Sequence, residues 1–186
     1  MLAIYGTMII RRYIPGLDKV LETIKPKLDR LWAQPDAKVP SWATNGNVYN
    51  TYPRTDVMDP GGFAHEWPEL EDTMTLVNRA INEFYREQHM DHNMEPYVCQ
   101  MWIHCHKPGA DGIEHNHPEM IMSGALYFQC EPYQGNLMIE GQEVVVQTGD
   151  LLFWEGNVNH TVLPNSLDKD RIAAAIMVKA RKHAIN

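Results

Sequence analysis

Four histidines lie within fourteen residues of one another in the second half of the chain. His115 and His117 stand two positions apart, as do His104 and His106 shortly before them. Alternate side chains of a β-strand project from the same face, so each pair would present two imidazoles together. Neutral imidazole is a common ligand of iron, zinc, copper and nickel. A lone histidine is more often a satisfied core residue, but the 115/117 pair follows a glycine-containing turn and predicts a metal site.

A third ligand is expected from a distant part of the chain. His160 opens a predicted strand after a glycine-aspartate turn and an apolar segment, as a ligand from a late jelly-roll strand would. Glu119 continues the alternation of the histidine pair and competes for a ligand position if the strand continues. Arg171 heads the apolar segment 172–178, where a guanidinium must reach the surface or pair with a carboxylate. An exposed arginine beside two aspartates fits the local sequence equally well.

Size and charge narrow the possible functions. At 186 residues the chain is long enough for one well-buried domain and short for two, so we expect a single domain over residues 1–186. The formal net charge of -8 argues against a nucleic-acid partner, and no segment reaches the roughly 20 apolar residues that span a bilayer. Three cysteines without C-x-x-C spacing suggest a reduced protein, and a cytoplasmic location is expected. The sequence leaves the oligomeric state open.

Helices are predicted for the first half of the chain. The apolar opening, residues 2–10, is interpreted as a first strand and not as a signal peptide. Apolar residues then recur at helical intervals over 17–32, where Pro26 predicts a kink or two short helices. Pro68 opens a further helix with acidic residues in its first turns, and this helix is expected to end around 89–93.

Short strands separated by turn residues are predicted from residue 96 onward. Before them, the proline-rich segment 34–62 is expected to be an irregular loop with one short strand near 48–52. The predicted fold is mainly β with an α-helical N-terminal half: a double-stranded β-helix, or jelly roll, over 96–180, with the helices and loop of 1–95 packed on one sheet. The expected strands are 97–106, 113–118, 120–130, 136–139, 143–147, 151–155, 160–163 and 171–179.

The segment from Met101 to Val178 resembles the iron(II)- and 2-oxoglutarate-dependent oxygenases. It is most similar to a group of small members with H-x-H-P, S-G-x-x-Y, G-D-L-x-x-F and a late H…R in that order. The resemblance covers a little under half of the chain, and the order and spacing of the motifs are more specific than any one of them. The matching residues are His115–Pro118, Ser123–Tyr127, Gly149–Phe153, His160 and Arg171.

The resemblance implies a cofactor, a co-substrate and a reaction. His115 and His160 would be two of the Fe(II) ligands, and Arg171 would bind the distal carboxylate of 2-oxoglutarate, with the Tyr127 hydroxyl as a second donor. The implied activity is that of a dioxygenase, in which decarboxylation of 2-oxoglutarate to succinate accompanies hydroxylation of a substrate. That substrate, a small molecule or a peptide side chain, is not specified by the sequence.

Two positions depart from the pattern of the family. Its R-x-S motif is represented by residues 171–173, where alanine replaces the serine. The position of its acidic metal ligand holds His117, so either three histidines form the triad or Glu119 provides the carboxylate. We favour the three histidines, because the resembling sequences share H-x-H-P and not the acid that follows. His106, on the preceding strand, would face the same pocket.

Two other classes of protein stay open at this point. Gly109 together with the following His115-x-His117 resembles the first cupin motif. A cupin would be a metal-dependent dioxygenase, isomerase or lyase that does not use 2-oxoglutarate. The glutamate that cupins place after this pair is missing over 120–129, and the spacing from His160 to Arg171 favours the 2-oxoglutarate family. A metal-free jelly-roll interaction module would instead use the aromatic residues of segment 42–52 as a contact surface.

Overall fold

The computed structural model describes residues 2–4, 7–38, 43, 47–51, 67–87 and 93–182. These parts of the chain contain ten β-strands and two α-helices. The helices are α1 (Leu17–Trp32) and α2 (Glu71–Glu87). The strands are β1 (Leu2–Ile4), β2 (Thr7–Tyr13), β3 (Val48–Asn50), β4 (Met94–His106), β5 (Met122–Gln129), β6 (Leu137–Ile139), β7 (Gln142–Val144), β8 (Asp150–Glu155), β9 (His160–Val162) and β10 (Arg171–Lys182).

The strands form two antiparallel sheets. The larger sheet has the order β1-β2-β8-β5-β10-β4-β3, and the smaller sheet has the order β7-β6-β9. In the larger sheet β10 lies between β4 and β5, and β5 lies between β8 and β10, as expected for a jelly roll and not for a meander. The predicted jelly roll is therefore confirmed, and its strands β4 to β10 begin and end close to where the sequence indicated.

Alternate residues of the central strands belong to two different apolar cores. On β5, Leu126 and Phe128 belong to the core that the larger sheet shares with both helices. Ala125 and Tyr127, on the opposite face, belong to the core between the two sheets. Because alternate residues face opposite ways, the helices cover one face of the larger sheet and leave its other face to the smaller sheet. The candidate site lies on this second face.

Helix α1 runs undivided through Pro26, so the expected alternative of two short helices is wrong. Proline inside a helix removes one backbone hydrogen bond and costs about 3 kcal/mol. Packing of the apolar stripe offsets that cost, since full burial of a large side chain contributes about 1.5–3 kcal/mol. The buried stripe consists of Leu17, Leu21, Ile24, Leu28 and Trp32.

Helix α2 follows a single 3-10 turn over Pro68–Leu70, which confirms Pro68 as the start of a helical segment. Val77, Ile81 and Phe84 are buried on its inner face, as their spacing predicts. The end of this helix was expected at 89–93, and residues 89–92 lie outside the described part of the chain.

The apolar opening forms two strands and not one. Leu2 lies opposite Ile9 and Ile4 opposite Thr7 in an antiparallel pair, so the expected single strand over 2–10 is wrong. An apolar run indicates burial but does not indicate where the chain reverses. The first half of the chain contains the strands β1 to β3 as well as the two helices, so the expected helical N-terminal half is confirmed only in part.

Strand β3 confirms the short strand expected near 48–52. Most of the surrounding segment 34–62 lies outside the described residues. Cys99, Cys105 and Cys130 are buried free thiols. Neither described helix combines the length and the apolarity needed to cross a membrane.

Candidate active site

Three histidines come together although they are distant in the sequence. The ligand nitrogens of His115, His117 and His160 all lie within 4.8 Å of one another. His160 opens β9, and its backbone exchanges two hydrogen bonds with that of His115, of 2.9 and 3.0 Å. The His117 amide donates to the carbonyl oxygen of Gly156 at 2.7 Å. These backbone bonds hold the segment of the first two histidines against β9 and the turn before it.

The strand expected over 113–118 is a single β-bridge between His115 and the first residue of β9, so that prediction is wrong. The chain turns immediately afterwards, because the Met120 amide donates to the carbonyl oxygen of His117 at 2.9 Å. Glu119 lies exposed in this turn and is not part of the ligand cluster among the described residues. The alternation that would carry Glu119 to a metal ends at His117.

Gly156 allows the histidine segment to approach β8. A Cβ atom at this position would lie 2.1 Å from the carbonyl oxygen of Met120 and 2.7 Å from that of His117. Both contacts are with backbone atoms, which cannot rotate away as a flexible side chain could. Only glycine fits between the end of β8 and the turn after His117.

The imidazole rings are oriented by the backbone. Nδ1 of His115 lies 2.7 Å from the carbonyl oxygen of Ile113, and Nδ1 of His160 lies 3.0 Å from that of Val158. Because a carbonyl only accepts hydrogen bonds, each Nδ1 carries the proton and leaves the Nε2 lone pair for a metal. Nε2 of His117 is buried and has no hydrogen-bond partner within the described ranges. Three imidazole nitrogens of this kind fit a divalent transition metal.

Burial keeps two of these imidazoles neutral. Loss of hydration lowers the pKa of His160 to about 4, with the neighbouring His115 and His117 adding to the shift and the Val158 backbone opposing it. Loss of hydration is also the main cause that lowers the pKa of His117. The neutral form is the one that binds metal, so both rings hold their lone pairs available at neutral pH.

Arg171, at the start of β10, is buried, with 1% of its surface exposed. An exposed arginine beside two aspartates is therefore excluded. Asp170 pairs instead with the Lys107 ammonium, at 2.6 Å. Within the described part of the chain Arg171 forms no ion pair, and its Nε and Nη1 have no hydrogen-bond partner. An uncompensated buried charge costs several kcal/mol, so this guanidinium is prepared for an anion.

Tyr127 lies beside this guanidinium. The centroid of its ring is 5.0 Å from Cζ of Arg171. Its hydroxyl is buried and, among the residues described, has no hydrogen-bond partner. Burial raises the pKa of Tyr127 to about 12, so the hydroxyl keeps its proton and is a donor at neutral pH. Two donor side chains with unpartnered buried atoms therefore stand side by side.

One cavity of about 460 Å³ is lined both by the three histidines and by the Arg171–Tyr127 pair. This volume is within the usual range for a small-molecule site. Among the described residues that line it there is no aspartate or glutamate and no second lysine or arginine. Within the described chain, the cavity therefore combines imidazole nitrogens with the permanent positive charge of Arg171. Strand β4 contributes a wall made of Gln100, Trp102, His104 and His106.

Comparison with known proteins gives a fold. No family profile and no curated protein sequence matches the chain. A prolyl-4-hydroxylase from Pseudomonas putida is 15% identical, with a TM-score of 0.62 over 93% of this chain and 92% of that one. An oxidoreductase of the 2OG-Fe(II) oxygenase family from Burkholderia pseudomallei is 14% identical, with a TM-score of 0.58 over 94% and 85%. The chain has the fold of the 2-oxoglutarate/Fe(II) oxygenases.

A third neighbour extends the range of reactions within this oxygenase fold. The epimerase SnoN, in complex with Fe3+, α-ketoglutarate and nogalamycin RO, is 9% identical and has a TM-score of 0.64 over 95% of this chain and 81% of that one. The resemblance that the sequence motifs suggested is thus confirmed at the level of the fold.

The oxygenase motifs did not identify every residue around the metal cluster. Trp154 lines the cavity, and its ring centroid lies 4.9 Å from that of His160. It stands on β8 two residues after Leu152, on the face between the sheets. Strand alternation predicts that Trp154 and Leu152 share one face of β8. The local sequence does not indicate that this face meets the histidines, so Trp154 could not be identified from it.

Proposed function

We propose that the protein is an Fe(II)/2-oxoglutarate-dependent dioxygenase that hydroxylates its substrate. The observation that carries the proposal is Arg171, a buried guanidinium without a carboxylate in the described chain, in the same cavity as three convergent histidines. One ligand that has both a metal-chelating group and a distal carboxylate would satisfy both features. 2-Oxoglutarate has this chemistry.

In this proposal the metal ligands are the Nε2 atoms of His115, His117 and His160. The backbone carbonyls that accept from Nδ1 of two of these rings preset their tautomers, so little reorganisation accompanies metal binding. The three rings come from two neighbouring segments and leave the side facing the cavity open. When bound there, Fe(II) and 2-oxoglutarate supply oxygen activation, with decarboxylation of 2-oxoglutarate to succinate.

Three neutral ligands leave the dipositive charge of the metal uncompensated by protein. The described residues of the cavity wall add the charge of Arg171 and no carboxylate. A dianionic co-substrate brings one negative charge to each centre and so offsets most of this positive charge. With the usual carboxylate in the triad, less positive charge would be left for the co-substrate to offset. Electrostatics thus favours 2-oxoglutarate over a monoanionic or neutral ligand.

The rest of the cavity is the proposed substrate site. Gln100 and Met177 line it at the end opposite Arg171, since β4 and β10 run along its whole length. Trp102 and Ala175 form the adjoining wall and give it an apolar character. We propose that a small molecule or a peptide side chain binds there, with its reacting C–H bond directed towards the histidines. With a net charge of -8, the chain is not expected to bind nucleic acid.

The proposal is tested by anaerobic addition of Fe(II) and then 2-oxoglutarate to the full chain. We expect a weak metal-to-ligand charge-transfer band in the visible range, and formation of succinate once oxygen is admitted. Glu119→Gln should retain the band, whereas His160→Ala should abolish it. Absence of both band and succinate in the unsubstituted protein would reject the oxygenase and leave a cupin-type enzyme or a metal-free module.

A further inference from the structure

We propose that His106 binds the distal carboxylate of 2-oxoglutarate, to which its imidazole N–H donates a hydrogen bond. This inference rests on the proposed function and deepens it. It assigns to His106 the contact that the missing serine of the R-x-S motif would otherwise make.

His106 and Arg171 are opposite each other on adjacent strands. The register of β4 and β10 pairs these two residues directly, so their side chains project from the same face of the larger sheet. Directly opposed Cβ atoms in an antiparallel pair lie about 4.5–5.5 Å apart. Both side chains line the cavity, and His106 is 5% exposed. The imidazole is therefore a neighbour of the guanidinium at one end of the site.

Unpartnered polar atoms from three adjacent strands collect at this end. They are Nδ1 of His106 on β4, Nε and Nη1 of Arg171 on β10, and the hydroxyl of Tyr127 on β5, all buried and without a hydrogen-bond partner among the described residues. Most buried polar groups in proteins are satisfied, so an unsatisfied group calls for an explanation. A common ligand that accepts hydrogen bonds from all three side chains provides one.

The acceptor capacity of a carboxylate matches this set of donors. Two carboxylate oxygens offer about four lone-pair positions. Arg171 fills two of them through two N–H groups on one edge of its guanidinium, and the hydroxyl of Tyr127 fills a third. Ala173, in the place of the serine, offers only a methyl group. The fourth position is left for a donor from the strand on the other side of Arg171, which is β4.

The surroundings of His106 suit a neutral donor. Burial, then His104, then the charge of Arg171 lower its pKa well below the usual value, against a smaller opposing contribution from the Ala110 backbone, so the ring adds no second positive charge beside the guanidinium. Its centroid lies 5.0 Å from that of His104 in an edge-on contact at 63°, which restrains rotation of the ring. A neutral imidazole always carries one N–H, and its tautomer adapts to the acceptor that is present.

The test compares two ligands on matched variants. The full chain is loaded with Mn(II) in the absence of oxygen, and binding of 2-oxoglutarate and of 2-oxobutyrate, which lacks the distal carboxylate, is measured by calorimetry. His106→Phe should weaken 2-oxoglutarate binding about tenfold or more, the scale of a lost hydrogen bond to a charged group. It should leave 2-oxobutyrate binding unchanged. His106→Asn, which retains an N–H donor, should recover most of the loss.

Gln100→Met is the control on the same strand and cavity wall. Gln100 is six residues from His106, roughly 20 Å along an extended strand, which is beyond the reach of one 2-oxoglutarate molecule. Its substitution should change neither affinity. Unchanged 2-oxoglutarate binding in His106→Phe, or an equal loss for both ligands, would overturn the role of His106. Failure of the unsubstituted protein to bind 2-oxoglutarate would instead overturn the proposed function, and this inference with it.

A second measurement does not depend on the folding of a variant. Imidazole nitrogen chemical shifts of the Zn(II)-loaded protein, labelled with 15N, report the protonation and hydrogen bonding of each histidine. Addition of 2-oxoglutarate should move the His106 nitrogen signals, and addition of 2-oxobutyrate should not. Signals of His106 that respond to neither ligand, while the metal-ligand histidines respond to both, would contradict the proposal.

Discussion

Replacement of Arg171 by methionine should stabilise the ligand-free protein and at the same time weaken 2-oxoglutarate binding. Methionine has a similar unbranched stem, so it fills the space beneath the guanidinium without a large cavity. The arginine is 1% exposed and has no ion pair in the described chain, so its removal relieves desolvation without leaving a buried partner unpaired. Exchange of buried charges for apolar residues of similar volume is neutral or stabilises by about 1–4 kcal/mol.

The effect on binding should have the opposite sign. Loss of one member of a buried, hydrogen-bonded charge pair costs about 2–5 kcal/mol of binding free energy, which is roughly a 30-fold to 5,000-fold increase in Kd. Two side chains, Tyr127 and His106, remain near the carboxylate, so we expect Arg171→Met to fall in the middle of this range. 2-Oxoglutarate should accordingly raise the Tm of the metal-loaded unsubstituted protein much more than that of the variant.

Urea unfolding of the metal-free protein and calorimetry of the Mn(II)-loaded protein measure the two effects. Arg11→Met is a matched control, because Arg11, unlike Arg171, has a buried carboxylate partner. Its Nε and Nη2 contact the two carboxylate oxygens of Asp150. That variant leaves a buried carboxylate without its charge partner and should destabilise by about 1–2 kcal/mol, reduced because Arg11 is partly exposed. It should not change 2-oxoglutarate affinity. If Arg171→Met instead unfolds at lower urea and binds 2-oxoglutarate normally, the arginine is a structural residue and the reasoning fails.

Three further variants test the site and the fold. His117→Ala should weaken Fe(II) or Mn(II) binding by about 100-fold or more, whereas Glu119→Gln should leave it nearly intact. Competition with a chelator measures both affinities, and a loss in Glu119→Gln alone would make the glutamate the ligand. Gly156→Ala should destabilise by about 1–3 kcal/mol and weaken metal binding, because its Cβ would meet the carbonyl of Met120 at 2.1 Å. Leu126→Ala, in the fully buried core beneath the helices, should cost about 2–5 kcal/mol in urea unfolding without affecting metal affinity, and equal loss of both would show that the two cores are coupled.

The fold was predictable wherever a residue pattern has a single geometric consequence. The buried stripes of α1 and α2 both follow from the periodicity of apolar residues. Of the two alternatives at Pro26, a kink or two short helices, the second was wrong, because the packing of a long stripe outweighs the loss of one hydrogen bond. The reversal between β1 and β2 was missed, since an apolar segment is equally compatible with one strand or two.

The candidate site was predictable to the extent that its residues stand in ordered motifs. His115, His160 and Arg171 could be proposed from their order and spacing, and the structure brings all three to one cavity. Competition between His117 and Glu119 could not be resolved from the sequence, because both fit an alternating strand. The turn closed by the Met120 amide decides the geometry, and that turn depends on the close approach of β8.

The sequence by itself determined the apolar stripes of the two helices and the close pairing of His115 with His117. These properties are local, since each depends on residues a few positions apart. Only the tertiary structure decided that Arg171 is buried without a partner, that His106 stands opposite it, and that Glu119 is excluded from the cluster. Strand register and burial join residues more than fifty positions apart, and no local pattern contains that information.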